Sequence, residues 1–271
     1  MIKIISHNVN GINAYKNAGK LDELLKFNAD VYCLQEVRCG NEEKLKTILG
    51  GEIYDKYEVI SNLNSDIKRY AGVVTLLSKE TMGKVLLSID TPEFTSPNLT
   101  NYSKGRILTL YFTNCILINL YAINSVGQKQ NERIAYDQML NVYIKKLKQD
   151  FHLPIILVGE LNVCTSQLDY SGDFEKDYNV GPSLYDFEID AFNNLVGANK
   201  LIDSYRCCNL NEQKYSANMK IKRKEVAART DYILVDSRIQ KNIGDATIHE
   251  DFSDKDHKPI ETNINLPYAY R

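Results

Sequence analysis

Apolar runs at 2–6, 31–36, 71–77, 106–112, 115–121, 155–158 and 230–235 are short and nearly unbroken, as strands buried on both faces are. Between them lie stretches with helical spacing. Leu21, Leu24, Leu25 and Phe27 mark an amphipathic helix over 20–29, and further helices are expected near 41–49, 131–149 and 185–199. Thr113-Asn114 separates two of the strands with a hairpin signal. Residues 83–104 read as mixed strand and loop, 165–183 as a long polar loop, and 214–224 as a basic loop. The last strand starts after Asp256-His-Lys-Pro259. Hairpins interleaved with strand–helix units do not fit a doubly wound sheet. They fit two packed mixed β-sheets with helices on both outer faces, a four-layer α/β sandwich. No repeat, low-complexity tract or linker breaks the pattern, so residues 1–271 are expected to form a single domain.

Several strands end on polar groups. The run from 155 opens after Pro154 and loses regularity at Gly159. Glu160 and Asn162 follow, two apart and so on one side of the chain. Asn8, Glu36, Tyr121, Asn124 and Asp256-His257 stand at comparable ends, and in a layered sandwich such ends can converge on one rim. The carboxylates of Glu36, Glu160 and Asp256 with the amides of Asn8 and Asn162 would make an oxygen-rich site suited to Mg²⁺ or Mn²⁺. An ion held there would polarise a phosphoryl oxygen. The partner that orients His257 should come from another strand, because Asp256 faces the other way, and Asp231 is the candidate.

Composition narrows the partners. A net charge of -2 and a pI near 6.1 give no overall basic field, so nucleic acid would have to meet a local patch. The patch expected is the basic loop with Lys214, Lys220, Lys222, Arg223 and Lys224, together with Arg229. The six cysteines form no CxxC pair and fit reduced thiols. No apolar leader and no run long enough to cross a membrane is present, so a cytoplasmic location is expected.

The ordered set HNVNG, LQEVR, RYAGVVTLLSK, KGRILTLYF, INLYAIN, RIAYDQML, ILVGELNV, RTDYILV and DKDHKPI resembles the exonuclease III/AP endonuclease family of the endonuclease–exonuclease–phosphatase superfamily. The resemblance runs from residue 2 to about 262. It implies a DNase I-like sandwich and a Mg²⁺-dependent DNA phosphodiesterase. In base excision repair that means an AP endonuclease, a 3′-5′ exonuclease or a 3′-phosphodiesterase acting on double-stranded DNA, expected as a monomer. It implies Glu36 as the main metal ligand with Asn8 nearby, and Asp256 supporting the metal or the histidine. Asp231 and His257 become the orienting acid and the imidazole at the scissile phosphate. Tyr121, Asn124 and Asn162 would hold the phosphate and the attacking nucleophile. Asn10 stands where the family carries Asn or Asp, and Arg133 falls where the family has basic residues near the DNA backbone.

Two departures stand out. Where the family reads Gly-Asp-x-Asn, residues 159–162 read Gly-Glu-Leu-Asn, so the Glu160 carboxylate reaches about one bond further and reduced turnover is expected. The family's abasic-sugar pocket has bulky walls, but the matching positions here are Ala217, Ala228 and Thr230 beside Tyr215-Ser216. That gives weight to 3′ trimming or less selective cutting. The alternatives are a retrotransposon-type nicking endonuclease and a catalytically impaired DNA-binding homologue.

Overall fold

The structure is a computed structural model that describes residues 1–127 and 129–266. In chain order the strands are β1 (Ile2–Asn8), β2 (Val31–Gln35), β3 (Tyr57–Asn62), β4 (Val73–Ser78), β5 (Leu86–Asp90), β6 (Ile107–Phe112) and β7 (Ile116–Tyr121). They continue with β8 (Ile155–Glu160), β9 (Leu201–Asp203), β10 (Ala217–Ile221), β11 (Lys224–Ala228), β12 (Asp231–Asp236), β13 (Ile243–Ile248) and β14 (Ile260–Ile264). One six-stranded sheet has the order β13-β14-β1-β2-β4-β3, the other β5-β6-β7-β8-β12-β9, and β10-β11 is a separate ribbon. At the middle of each large sheet lies one parallel pair, β1 with β2 and β7 with β8; the neighbouring pairs are antiparallel.

Alternation along the central strands sorts side chains into layers. Ile4, Val31, Cys33, Leu117, Ile156, Val158, Ile233 and Val235 share one cluster between the sheets. Ile5, Tyr32 and Leu34 point outward onto Leu21, Leu24, Leu45, Leu49 and Ile53 of the short helices. On the far side Ile118, Leu120, Ile155 and Leu157 pack against Tyr136, Leu140, Ile144, Phe192 and Leu195. These last residues come from the helices Gln130–Phe151 and Asp186–Ala198. The result is the four-layer α/β sandwich expected from the pattern.

The sequence reading differs in detail. The basic stretch 214–224 is largely the β10-β11 ribbon, with Lys222 and Arg223 both at positive φ in its two-residue turn. Strands β3, β9 and β13 were not expected, and 165–183 contains two single helical turns.

Candidate active site

Register delivers the site. Tyr121 pairs with Glu160, and Glu160 pairs with Asp231, so three polar side chains stand abreast at one end of the second sheet. In the first sheet Asn8 pairs with Gln35 at the corresponding end. Asn8, Tyr121, Glu160 and Asp231 have the same parity as the inter-sheet core residues of their strands, so they face the mouth between the two sheets. Below that mouth a polar bolt joins the sheets. Gln35 Nε2 donates to Asn119 Oδ1 at 2.8 Å and to Ser6 Oγ at 3.1 Å, and Asn119 Nδ2 donates to Thr75 Oγ1 at 3.1 Å.

Strained backbone shapes the rim. Asn10, Glu36, Arg38 and Asn162 all adopt φ between 45° and 51°, a region costly for residues with a Cβ. At Glu36 this turns the carboxylate back across the end of β2, where Tyr121 Oη donates to Oε1 and Arg38 Nη2 donates to Oε2 at 2.6 Å. Asn8 bridges the sheets. Its Nδ2 donates to Glu160 Oε2, and its Oδ1 accepts the backbone N–H of Asn10 at 2.9 Å.

His257 lies on the second side of Glu160. Its Nδ1 is 3.1 Å from Asp231 Oδ2 and its Nε2 is 3.9 Å from Glu160 Oε1. Ser216 Oγ donates to the same Asp231 oxygen at 2.7 Å. Burial alone would lower the imidazole, but the charges of Asp231 and Glu160 outweigh it and lift His257 to about 10. Burial pushes the Glu160 carboxyl up, His257 opposes this, and the like charges of Asp231 and Glu36 add to it. Burial and then the two glutamates likewise hold Tyr121 well above its ordinary value, so it is a donor at neutral pH. A buried site crowded with carboxylates is chemistry that a divalent cation relieves. The carboxylates of Glu36 and Glu160 are hard oxygen donors of the kind such an ion takes, with the Asn8 amide beside them. Among the described residues, Glu160, Asp231 and His257 also bring ligand atoms within 4.8 Å of one another.

Asn124 and Asn162 meet behind this group. Asn124 Nδ2 donates to Asn162 Oδ1 at 3.0 Å, and Asn162 Nδ2 donates to Ala122 O at 3.0 Å. Asp256 does not join the carboxylates. It is exposed and accepts from Asn10 Nδ2 at 2.9 Å on the outer rim.

Two expected backbone-binding residues are placed elsewhere. Arg133 is buried, paired with Asp137 at 2.6 Å, and its Nη atoms donate to Ile123 O at 2.7 Å and Leu161 O at 2.9 Å. It pins the loops that follow Tyr121 and Glu160 to each other, so it positions Asn124 and Asn162 instead of meeting phosphate. Arg229 is also buried, bonded to Asp169 at 2.7 and 3.0 Å and to Asp203 at 2.7 Å. Lys222, Arg223 and Lys224 are exposed at the ribbon turn. Their ribbon is tied to the site, because Ala217 bridges to His257 and Asn218 N donates to Asp256 O at 2.9 Å. The small residues matched to the sugar pocket are closed off. Ala217 and Ala228 form the buried base of the ribbon, and Thr230 donates to Asp231 Oδ2 at 3.3 Å. An open cleft lies between the ribbon and 253–258, about 650 Å³, with Asn218, Lys220, Lys255, Asp256 and Lys258 among its walls.

Sequence reasoning missed Arg38, whose only signal was a cation two residues past Glu36. It missed Arg106 as well, which directly precedes β6. Arg106 lies 4.6 Å from the Tyr121 ring centroid and donates to Tyr121 O at 3.1 Å, fixing the phenol from below.

No protein-family model matches the chain. An exodeoxyribonuclease of Bacillus subtilis (strain 168) is 29% identical over 272 residues, covering 98% of this chain and 100% of its own length. A DNA-(apurinic or apyrimidinic site) endonuclease of Plasmodium falciparum (isolate 3D7) is 26% identical over 332 residues; 95% of this chain is covered, but only 54% of that longer protein. In fold, AP endonuclease LMAP from Leishmania major superposes with a TM-score of 0.80 at 21% identity, covering 98% of this chain and 88% of that one. With the ordered motifs and the rim they build, these likenesses support a relationship to the exonuclease III/AP endonuclease family.

Proposed function

We propose that the chain is a Mg²⁺-dependent DNA phosphodiesterase of the exonuclease III type, cutting duplex DNA at abasic sites, trimming 3′ ends, or both. The observation that carries this is the Asp231–His257 pair beside Glu160 at the inter-sheet mouth, with Asn8, Glu36 and Tyr121 completing the rim. The name of the full-length Bacillus relative supports DNA as the substrate. Glu36, Glu160 and Asn8 would hold Mg²⁺, with Mn²⁺ as a substitute. Bound there, the ion supplies electrostatic stabilisation of the charge that builds on the phosphoryl oxygens. His257, kept protonated by Asp231, donates a hydrogen bond to the scissile phosphate, and the Tyr121 phenol and the Asn124–Asn162 amides orient it. Glu160 aligns the attacking water. The protein acts as a monomer in the cytoplasm, and Lys222, Arg223 and Lys224 hold the duplex backbone.

Two oligonucleotide duplexes test the reading, one with a single tetrahydrofuran site and one with a recessed 3′ end, each with Mg²⁺ or EDTA. Mg²⁺-dependent cleavage of at least one is expected. Glu36→Ala should abolish it while DNA binding persists. Cleavage that survives EDTA, or full activity in Glu36→Ala, would overturn the assignment.

A further inference from the structure

Among the described residues, two buried polar atoms on Arg229 and Asp231 lack hydrogen-bond partners. Asp231 Oδ2 accepts from Ser216 and Thr230 and faces His257, yet Asp231 Oδ1 has no hydrogen-bond partner, and neither has Nη1 of Arg229. The remaining guanidinium nitrogens of Arg229 are committed to Asp169 and Asp203, so its Nη1 is held in place. Arg229 and Asp231 line one small cavity with Ser204, Thr247 and Thr262. Its volume of about 10 Å³ is the room one water needs. One orphan is a donor and the other an acceptor. Each would carry a desolvation cost if left unmatched.

We propose that Arg229 is a positioning residue for the reaction: one buried water in this cavity accepts from Arg229 Nη1 and donates to Asp231 Oδ1. The inference rests on the reading of Asp231 and His257 as part of the nuclease centre. An aspartate carboxylate rotates over a broad range about its last torsion, so bonds to one oxygen alone leave its plane loosely set. A bond to each oxygen fixes the plane, and with it the angle at which Oδ2 meets His257 Nδ1. Arg229 thus acts through the water and Asp231 on the imidazole, without touching DNA.

Ser204 gives a test that leaves Arg229 and Asp231 in place. Among the described residues its Oγ bonds to Thr262 Oγ1, at 2.7 Å. Ser204→Val loses that bond and fills the cavity; Ser204→Ala loses the bond without filling it. A high-resolution crystal structure of the full chain should show a water within about 3.2 Å of both Arg229 Nη1 and Asp231 Oδ1. On the cleaved duplex, Ser204→Val should lower kcat about tenfold with KM within about twofold, a loss typical of mispositioning. It should also shift the downfield proton resonance of His257 Nδ1–H. Ser204→Ala should do neither. Clear density without that water, or matching kcat and resonance in the two variants, would overturn the proposal. If the parent protein cleaves neither duplex, the nuclease reading falls, while the density and the resonance still decide the water.

Discussion

Glu160 sits 3.9 Å from His257 Nε2 through Oε1, a separation too long for a direct hydrogen bond and too short for a water between them. Its other oxygen is held by Asn8, so the side chain is not free to swing aside. Withdrawing the carboxylate by one methylene, about 1.5 Å, would open the gap to about 5.4 Å, the span of two hydrogen bonds through one water. Glu160→Asp should therefore raise kcat by about ten- to a hundredfold, the scale of ångström-level repositioning, with DNA affinity unchanged. Single-turnover cleavage beside an equilibrium binding titration measures both. A slower Asp variant would mean the site works around the longer acid, with Asn8 as part of that adaptation.

At the scale of elements, the central strands were legible because both their faces are buried and their sequences are almost purely apolar. Their shared polar ends were legible too, since Asn8, Glu36, Tyr121 and Glu160 each close such a run and Asp231 opens one. The ribbon was not, although Ala217, Met219 and Ile221 do alternate with polar residues; four basic residues at 220–224 masked a turn that lacks Gly or Asn. Arg133 and Arg229 could not be read as buried pins. A cation's burial depends on partners distant in sequence, such as Asp169, sixty residues before Arg229. Gly159 was read as the end of a regular run, and its structural reason is sharper. At φ 138° it lets β8 lie so close to β7 that an added Cβ would come within 1.9 Å of Leu120 O. Gly159→Ala should cost at least about 3 kcal/mol, through strain and the displacement of β7 against β8. Chemical denaturation measures this, and a variant within 1 kcal/mol of the parent (about one ordinary substitution's effect) would show that the strands can separate without harm.

Across the whole molecule, a charge of -2 means that attraction to DNA is local and oriented instead of diffuse. Arg133 and Arg229 are buried in ion pairs, which leaves Lys222, Arg223 and Lys224, with Lys220, as the exposed cations of the expected patch. They project from a ribbon whose base is fixed to the His257 segment, so a duplex gripped there is held at a set distance from the mouth between the sheets. Each phosphate contact contributes about -0.9 to the slope of log affinity against log salt on duplex DNA. Neutralising all three as Lys222→Gln, Arg223→Gln and Lys224→Gln should flatten that slope by about 2 to 3. Because Glu36, Glu160 and His257 are untouched, kcat at saturating DNA should stay near the parent value while KM rises. Titrations at several salt concentrations with a short duplex measure the slope. An unchanged slope would move the backbone contacts elsewhere on the rim, where Arg38 pairs with Glu36 and Lys129 bonds to Tyr70.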